Sequence, residues 1–400
     1  MPKIKHLLNR ASFGMSAEDL LYVQDKSLDQ VIDKLFDVQY RPIDITRPGV
    51  NKVRKALDAG EKLDKEGKKI KRTLLFDLQN DWMTQMTLPI KQGNPFLERM
   101  SLFWHGHFAC RIKDFRLASK YLENIRENSM GNFRNLLHVI AKDGSMIKYL
   151  NNQQNIKNKP NENFARELLE LFSLGIGNYT EQDIKEAARA FTGWATDKKG
   201  DFLYKRRRHD EGQKVFFGRR GNFKGEEIID IVLEKKEVAY FISTKIYQYF
   251  VNEEINRTHI EELSNVFFRS NYDIKTLMLH LFKSEWFYAP ENIGNKIKSP
   301  IDLIVGVRSF LNLNFQKITN NVYLQRILGQ ELFNPPNVAG WNRDLKWINN
   351  STLIYRSKLV ALLLDKETFE LSTKTEQEGF NFDKKVQRRF RNVKYNLKPV

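Results

Sequence analysis

The chain has 400 residues, with 66 Lys and Arg against 49 Asp and Glu, a net charge of +17. Hydrophobic residues make up 41% and aromatics 12%, enough for a buried core, which excludes wholesale disorder. A single cysteine, Cys110, excludes an intrachain disulfide and any zinc or iron–sulfur cage built from cysteines.

Helical periodicity dominates from the start. Leu20, Leu21, Val31, Ile32, Leu35 and Phe36 recur at three- and four-residue spacings, which predicts two short helices before Pro42. Residues 40–50, with Pro42, Pro48 and Gly49, read as a loop. Residues 51–72 are dense in Lys and Glu and read as an exposed, loosely packed helix. Residues 74–88 and 95–109 read as aromatic-rich helices. Phe133, Leu136, Leu137 and Ile140 form an i, i+3, i+4, i+7 stripe. An Asn-rich stretch, Asn151 to Asn163, precedes a helix predicted from there to Leu174 and stopped by Gly175 and Gly177. Thr180 with Asp183 is a near match to a capping box.

Between Trp194 and Phe223 the period changes, and Gly, Asp and Arg alternate with aromatics. A small β-hairpin or irregular excursion is expected around 195–220. Helices resume near Glu226 and run, with breaks, to about Leu311. Asn334 to Asn350, rich in Pro, Gly and Trp, reads as an ordered loop, and a last helix is expected over 352–364. The fold class is therefore mainly α: a multi-helical single domain over residues 1–365 with that small β excursion. The segment 366–400 reads as a flexible basic tail. Its last 17 residues carry Lys384, Lys385, Arg388, Arg389, Arg391, Lys394 and Lys398 with no acid. The longest strongly apolar run, Leu359 to Leu364, falls far short of the roughly 18–20 residues of a membrane span. No apolar leader with a small-residue cleavage site opens the chain, which points to a cytoplasmic protein.

Several constellations carry chemistry. His105 and His107 could chelate a metal ion if the backbone there were extended. In a helix they diverge by about 200° and cannot share one ion. His107 then falls on the apolar face with Phe96, Met100 and Phe103, where a hydrogen-bonded core histidine is the alternative. On the next candidate helix, Glu162, Arg166 and Glu170 lie at i, i+4, i+8, with Glu167 on the flank. They form either a solvated face of ordinary ion pairs or a cleft-facing stripe in which Arg166 holds Glu162 and Glu170 ionised. His209, Asp210 and Lys214 combine an imidazole, a carboxylate and an ammonium beside Gly212, which suits acid–base chemistry or anion binding, or simply an exposed turn. Trp194 and Trp341 sit in Gly- and Pro-rich loops, where a ring can stack on a sugar or anchor the loop. Lys205 to Arg208 form a second basic cluster.

These pieces together resemble a bacterial family known as domain of unknown function 1800. The resemblance rests on His6-Leu7-Leu8-Asn9-Arg10-Ala11-Ser12-Phe13-Gly14, on Glu98-Arg99-Met100 running into Phe103-Trp104-His105-Gly106-His107-Phe108, and on Pro160 to Gly175. It continues through Tyr179-Thr180, Ala188 to Trp194, His209-Asp210 with Gly212 and Lys214, Lys298-Ser299-Pro300, and Pro335-Pro336 with Gly340-Trp341. It implies a largely helical fold whose signature residues gather in one polar site, but no reaction and no cofactor. Relatives are often exported, and their genes often neighbour those of a sulfatase- or phosphatase-like secreted family, which suggests a partner of that kind. A histidine frequent in relatives is Phe172 here, which removes one ligand from a family-based metal site.

The expected function is a polar site for an anionic ligand, such as that of an enzyme acting on an acidic glycan or ester. Glu167, His209 and Asp210 would be its acid–base residues, and His6, Arg10, Glu162, Arg166, Lys214, Trp194 and Trp341 its ligand contacts. The alternative is a binding or assembly module that docks an anionic polymer on its basic surface. Nucleic acid belongs to that alternative, although the sequence contains no recognisable nucleic-acid module.

Overall fold

A computed structural model describes residues 1–43, 48–314, 318–360 and 394–395. The body is helical and is built around one segment, Pro95–His107, in which every residue except Gly106 is buried. A helix buried on all sides needs neighbours on all sides. Pro2–Ala11, Leu28–Phe36, Lys65–Met86 and Phe115–Asn128 supply them. The two charges at its middle point to different partners. Glu98 pairs with Arg126 at 2.7 Å and accepts from Trp82 Nε1 at 2.8 Å. Arg99 turns the other way, to Ser12, Tyr249 and Asp302. Charges this deep persist only when their hydrogen-bonding capacity is met.

The Lys- and Glu-rich region differs from its expected form. Helix Val50–Ala59 stops at Gly60, whose φ of 76° only glycine adopts freely, and a 22-residue helix, Lys65–Met86, follows. Val50 and Val53 are buried, so the first helix packs better than its composition suggested. Capping boxes at Ser16, Ser27, Thr180 and Ser299 start four other helices, with the partner side chain three residues on in each. At Ser299 the box is joined by Pro300 at the first helical position.

The helix expected up to Leu174 is α-helical only over Asn163–Glu167. Leu168–Ser173 widens into a π-helical turn, closed by Leu174 N–H and Gly175 N–H on the Leu169 carbonyl. The Leu171 and Phe172 carbonyls are thereby left to side chains of other elements. The β excursion is two antiparallel hairpins. Trp194–Thr196 pairs with Phe202–Tyr204, and Lys214–Phe216 with Arg219–Gly221. The second turns through Phe217 and Gly218, both at positive φ, as a two-residue hairpin loop favours. The Trp-rich loop is ordered and contains a short 3-10 turn, Asp344–Trp347, before helix Asn350–Ser357. The last helix, expected over 352–364, starts earlier, at Asn350; it is interrupted by a turn at Lys358 and resumes at Leu359 and Val360, and residues 361–364 lie outside the described ones. So does the expected tail at 366–400, apart from Lys394–Tyr395, which pair antiparallel with Leu313–Asn314.

Candidate functional site

Four elements and one loop enclose a cavity of about 580 Å³. Its floor is the outer face of Pro95–His107, where Arg99, Phe103, Gly106 and His107 recur at helical spacing. Helix Pro2–Ala11 adds His6 and Arg10, four residues apart on one face. Helix Lys236–Phe250 adds Lys245, Gln248 and Tyr249. The extended segment before Ser299 presents Lys296 and Lys298, whose alternation puts both on the same side. The loop carrying Trp341 and Arg343 is the roof. Gly340 fixes that loop: its φ is 88°, and a Cβ there would stand 2.7 Å from the Gly106 carbonyl. The close approach lays Trp341 on His105, with ring centres 5.1 Å apart and planes 19° apart.

The electrostatics are one-sided. Arg99 and Asp302 neutralise each other. Lys5, Arg10, Lys245, Lys296, Lys298 and Arg343 remain around the cavity, with Asp344 as the one remaining carboxylate in its lining. Lys296 is partly balanced by Glu253, 3.4 Å away. The Arg10 guanidinium is held from behind by Asn292 O at 2.9 Å and by Asn295, and its Nε is buried without a partner. Burial, then Arg99, lowers its pKa to about 10, against a smaller opposing pull from Asp302. His6 is buried and lies against Phe287. Its Nε2 has no partner, and burial with the Arg10 charge lowers its pKa to about 4.

Lys245 and His107 form the most unusual pair. His107 Nε2 lies 3.1 Å from the Phe172 carbonyl, so Nε2 carries the ring proton and Nδ1 is an acceptor. Lys245 Nζ lies 3.2 Å from that Nδ1 and donates to the Leu171 carbonyl at 2.9 Å. Both carbonyls belong to the π-helical turn. Burial, then the nearby Arg343, lowers the Lys245 pKa to about 7, and burial keeps His107 well below its ordinary value.

A family model described as "Protein of unknown function (DUF1800)" matches residues 6–395. The chain belongs to this family. No curated protein and no solved structure is significantly similar to it. The match extends over the basic segment that the motifs alone had left outside.

In this DUF1800 chain the family motifs do not all meet. Those around His6, Arg99, His107, Lys298 and Trp341 border the cavity. The Pro160–Gly175 motif reaches it only through the Leu171 and Phe172 carbonyls. Glu162, Arg166 and Glu167 are not in its lining. Arg166 binds Glu181 at 2.7 Å and Glu162 at 3.1 Å, while Glu170 accepts from Tyr179. Arg166 therefore pairs with Glu162 and Glu181 rather than with Glu170, and Glu162, Arg166 and Glu170 sit at a partly open surface. Glu167 is half-buried, and burial, then Glu170, raises its pKa.

The hairpin motif forms a separate corner, outside the lining of the cavity. His209 is buried with Nδ1 near both the hydroxyl (3.2 Å) and the carbonyl (2.9 Å) of Thr192. Asp210 pairs with Arg189 at 2.7 Å and accepts from the Gly212 N–H at 2.8 Å. Lys214 is fully buried, and its ammonium donates to Asp210 O, Gly212 O and Asn222 Oδ1 at 2.6–3.1 Å. Trp194 packs among Phe164, Phe191 and Phe202, as a loop anchor would.

The helix runs through His107, so the two imidazoles do diverge and form no chelate. His105 lies in the core, its Nε2 accepting from Phe333 N–H at 3.3 Å, and burial lowers its pKa to about 3. Among the described residues, no three His, Cys, Asp or Glu side chains group as metal ligands. Sequence reasoning passed over Arg99, Lys245, Lys296, Lys298 and Asp302 as site residues. Lys245 had a signal: it falls on the stripe of Val238, Ile242 and Tyr249, where a lysine interrupts an apolar face.

Proposed function

We propose that the cavity binds a small anionic molecule, and that the protein is an enzyme acting on a ligand of the acidic-sugar or sugar-ester class. The observation that carries this is the charge imbalance: the cations Lys5, Arg10, Lys296, Lys298 and Arg343, the Lys245 amine and a neutralised Arg99–Asp302 pair line the cavity, with one remaining carboxylate. Cations crowded around one cavity repel one another, and an anionic ligand offsets that cost. Arg10, with a buried unpartnered Nε, suits a carboxylate, sulfate or phosphate group. Trp341 and Phe103 offer ring surface against which a sugar can stack. The volume is in the range of small-molecule sites. His107 and Lys245 are the acid–base groups nearest the bound molecule, in place of Glu167, His209 and Asp210.

Calorimetric titration tests this with glucuronate, a sugar phosphate and a sugar sulfate, each against its neutral sugar. Saturable binding of an acidic member, at least tenfold tighter than the neutral sugar and weakened in Arg10→Ala, is expected. Equal or absent binding of all of them would sink the reading.

A second reading, docking of an anionic polymer, is favoured by the exposed 3-10 turn of Arg206, Arg207 and Arg208. Replacing these three by Ser would abolish salt-sensitive retention on heparin under that reading and leave sugar-acid binding unchanged under the first.

A further inference from the structure

Lys245 differs from the other lysines of the cavity. Lys296 donates to the Gln248 carbonyl and approaches Glu253, and Lys298 is exposed. Lys245 is partly buried, and its described hydrogen bonds run to a carbonyl and an imidazole rather than to a carboxylate. Its two hydrogen-bond partners, the Leu171 carbonyl and His107 Nδ1, can only accept. A neutral amine has two N–H donors and one lone pair. Two donors match two acceptors, which leaves the lone pair as the third tetrahedral position of Nζ. The Phe241 ring lies 4.5 Å from Nζ, and the remaining surroundings are the cavity that Lys245 helps to line. An amine held between fixed acceptors, against an aromatic ring and beside a second cation, is the setting in which lysine acts as a nucleophile toward carbonyls.

We infer that Lys245 condenses with the carbonyl carbon of a ligand that also carries an acidic group, such as an oxo acid or the open-chain form of an acidic sugar. This rests on the anion-binding reading, because Arg10, Lys296 and Lys298 would hold the acidic end. In the step, the Nζ lone pair forms a bond to the carbonyl carbon and the C–O double bond opens. The two Nζ protons then leave with that oxygen as water, and a C=N bond remains. No oxidant or reductant is required. His107 and the Leu171 carbonyl position the amine. The amine is supplied in the reactive form near neutrality because the Lys245 pKa is about 7.

Pyridoxal 5′-phosphate tests this directly, since it pairs an aldehyde with a phosphate. The intact protein is treated near neutral pH, the imine is fixed with borohydride, and the modified lysines are mapped by peptide mass spectrometry. The expected result is an adduct at Lys245, formed at least tenfold more readily than with phosphate-free pyridoxal and competed by inorganic phosphate. Equal labelling of Lys245 by both aldehydes would keep the reactive amine and overturn the anion reading. Labelling confined to Lys296 or Lys298 would overturn the role of Lys245 while leaving anion binding in place. Absence of any cavity adduct would overturn the inference. Mapping the wild-type chain needs no variant to fold. Lys245→Arg, which keeps donors at this position but cannot form the imine, is expected to lose the adduct.

Discussion

The cavity and the hairpin corner hold most of the polar motif residues, yet their charges are used in opposite ways. At the corner, Lys214 gives its three donors to oxygen acceptors, and Asp210 is balanced by Arg189. Among the described residues there, the buried side-chain atoms left without a partner are His209 Nε2 and Tyr204 Oη. In the cavity, cations outnumber carboxylates, and the Arg10 Nε and His6 Nε2 are without partners. A satisfied polar cluster rigidifies a fold, whereas an unsatisfied one facing a void is a demand for a ligand. Richness in polar motif residues does not separate the two, but the accounting of donors and acceptors does.

The largest effect is expected at the corner. Lys214→Ala removes a fully buried ammonium that holds Asp210 O, Gly212 O and Asn222 Oδ1 together, and should cost about 2–4 kcal/mol in denaturant unfolding. Binding of an acidic sugar should be unchanged. A loss of binding without a loss of stability would make the corner part of the functional site.

Lys245→Met should do the reverse. An unfolded lysine keeps its proton up to about pH 10, whereas the folded Lys245 loses it near 7. Between those values the unfolded chain binds more protons, so this group makes stability rise with pH. Replacing it with methionine should stabilise the protein by roughly 1–3 kcal/mol at pH 7 and flatten that rise. Melting curves over pH 6–10 would show it, and a destabilised variant would mean that Lys245 is chiefly structural.

Lys298→Ala, at an exposed position, should leave stability within about 0.5 kcal/mol and weaken anion binding about tenfold, or ~1.4 kcal/mol. Gly106→Ala is the gentlest change. Nothing stands within 4 Å of a Cβ there, and the residue is helical, so stability should rise by roughly 0.5–1 kcal/mol. The added methyl enters the cavity, and ligand affinity should fall. On the acid side, His6 has a folded pKa of about 4 against the ordinary 6.5. It contributes a loss of stability as pH falls from about 6.5 to 4, because the unfolded chain takes up the proton first. His6→Asn should reduce that slope in an acid titration followed by circular dichroism.

Much of the architecture was legible in the sequence. The apolar stripes, the Thr180 box, the Gly stops and the hairpin region around 195–220 all correspond to elements of the structure. These features are local: caps and periodicity depend on residues within one or two turns. Two local readings failed for identifiable reasons. The π-helical turn at Leu168–Ser173 keeps a helical apolar pattern, so periodicity did not reveal its wider ring. The Lys- and Glu-rich helix hid Val50 and Val53 among charges, and their burial depends on what packs over them.

The site was legible only in part. His6, Arg10, His107 and Trp341 were recognised as candidates, and all border the cavity. Lys296 was missed because nothing around it in sequence marks burial or partners, whereas Lys245 interrupts an apolar stripe and Lys298 belongs to a family motif, and neither was read as a site residue. His209, Asp210 and Lys214 were grouped with them because their chemistry is equally suggestive when read in one dimension.

By itself, then, the sequence determined the helical class, a β excursion around 195–220 and the family, whereas the second hairpin came only with the structure. Only the tertiary structure decided which charged residues share a space. Arg10 and Lys298 are 288 positions apart, yet both line the same cavity. The reason is physical. Secondary structure follows from the chain's own short-range sterics and hydrogen bonds, whereas a charge's function depends on which partners, and how much water, the packed fold leaves beside it.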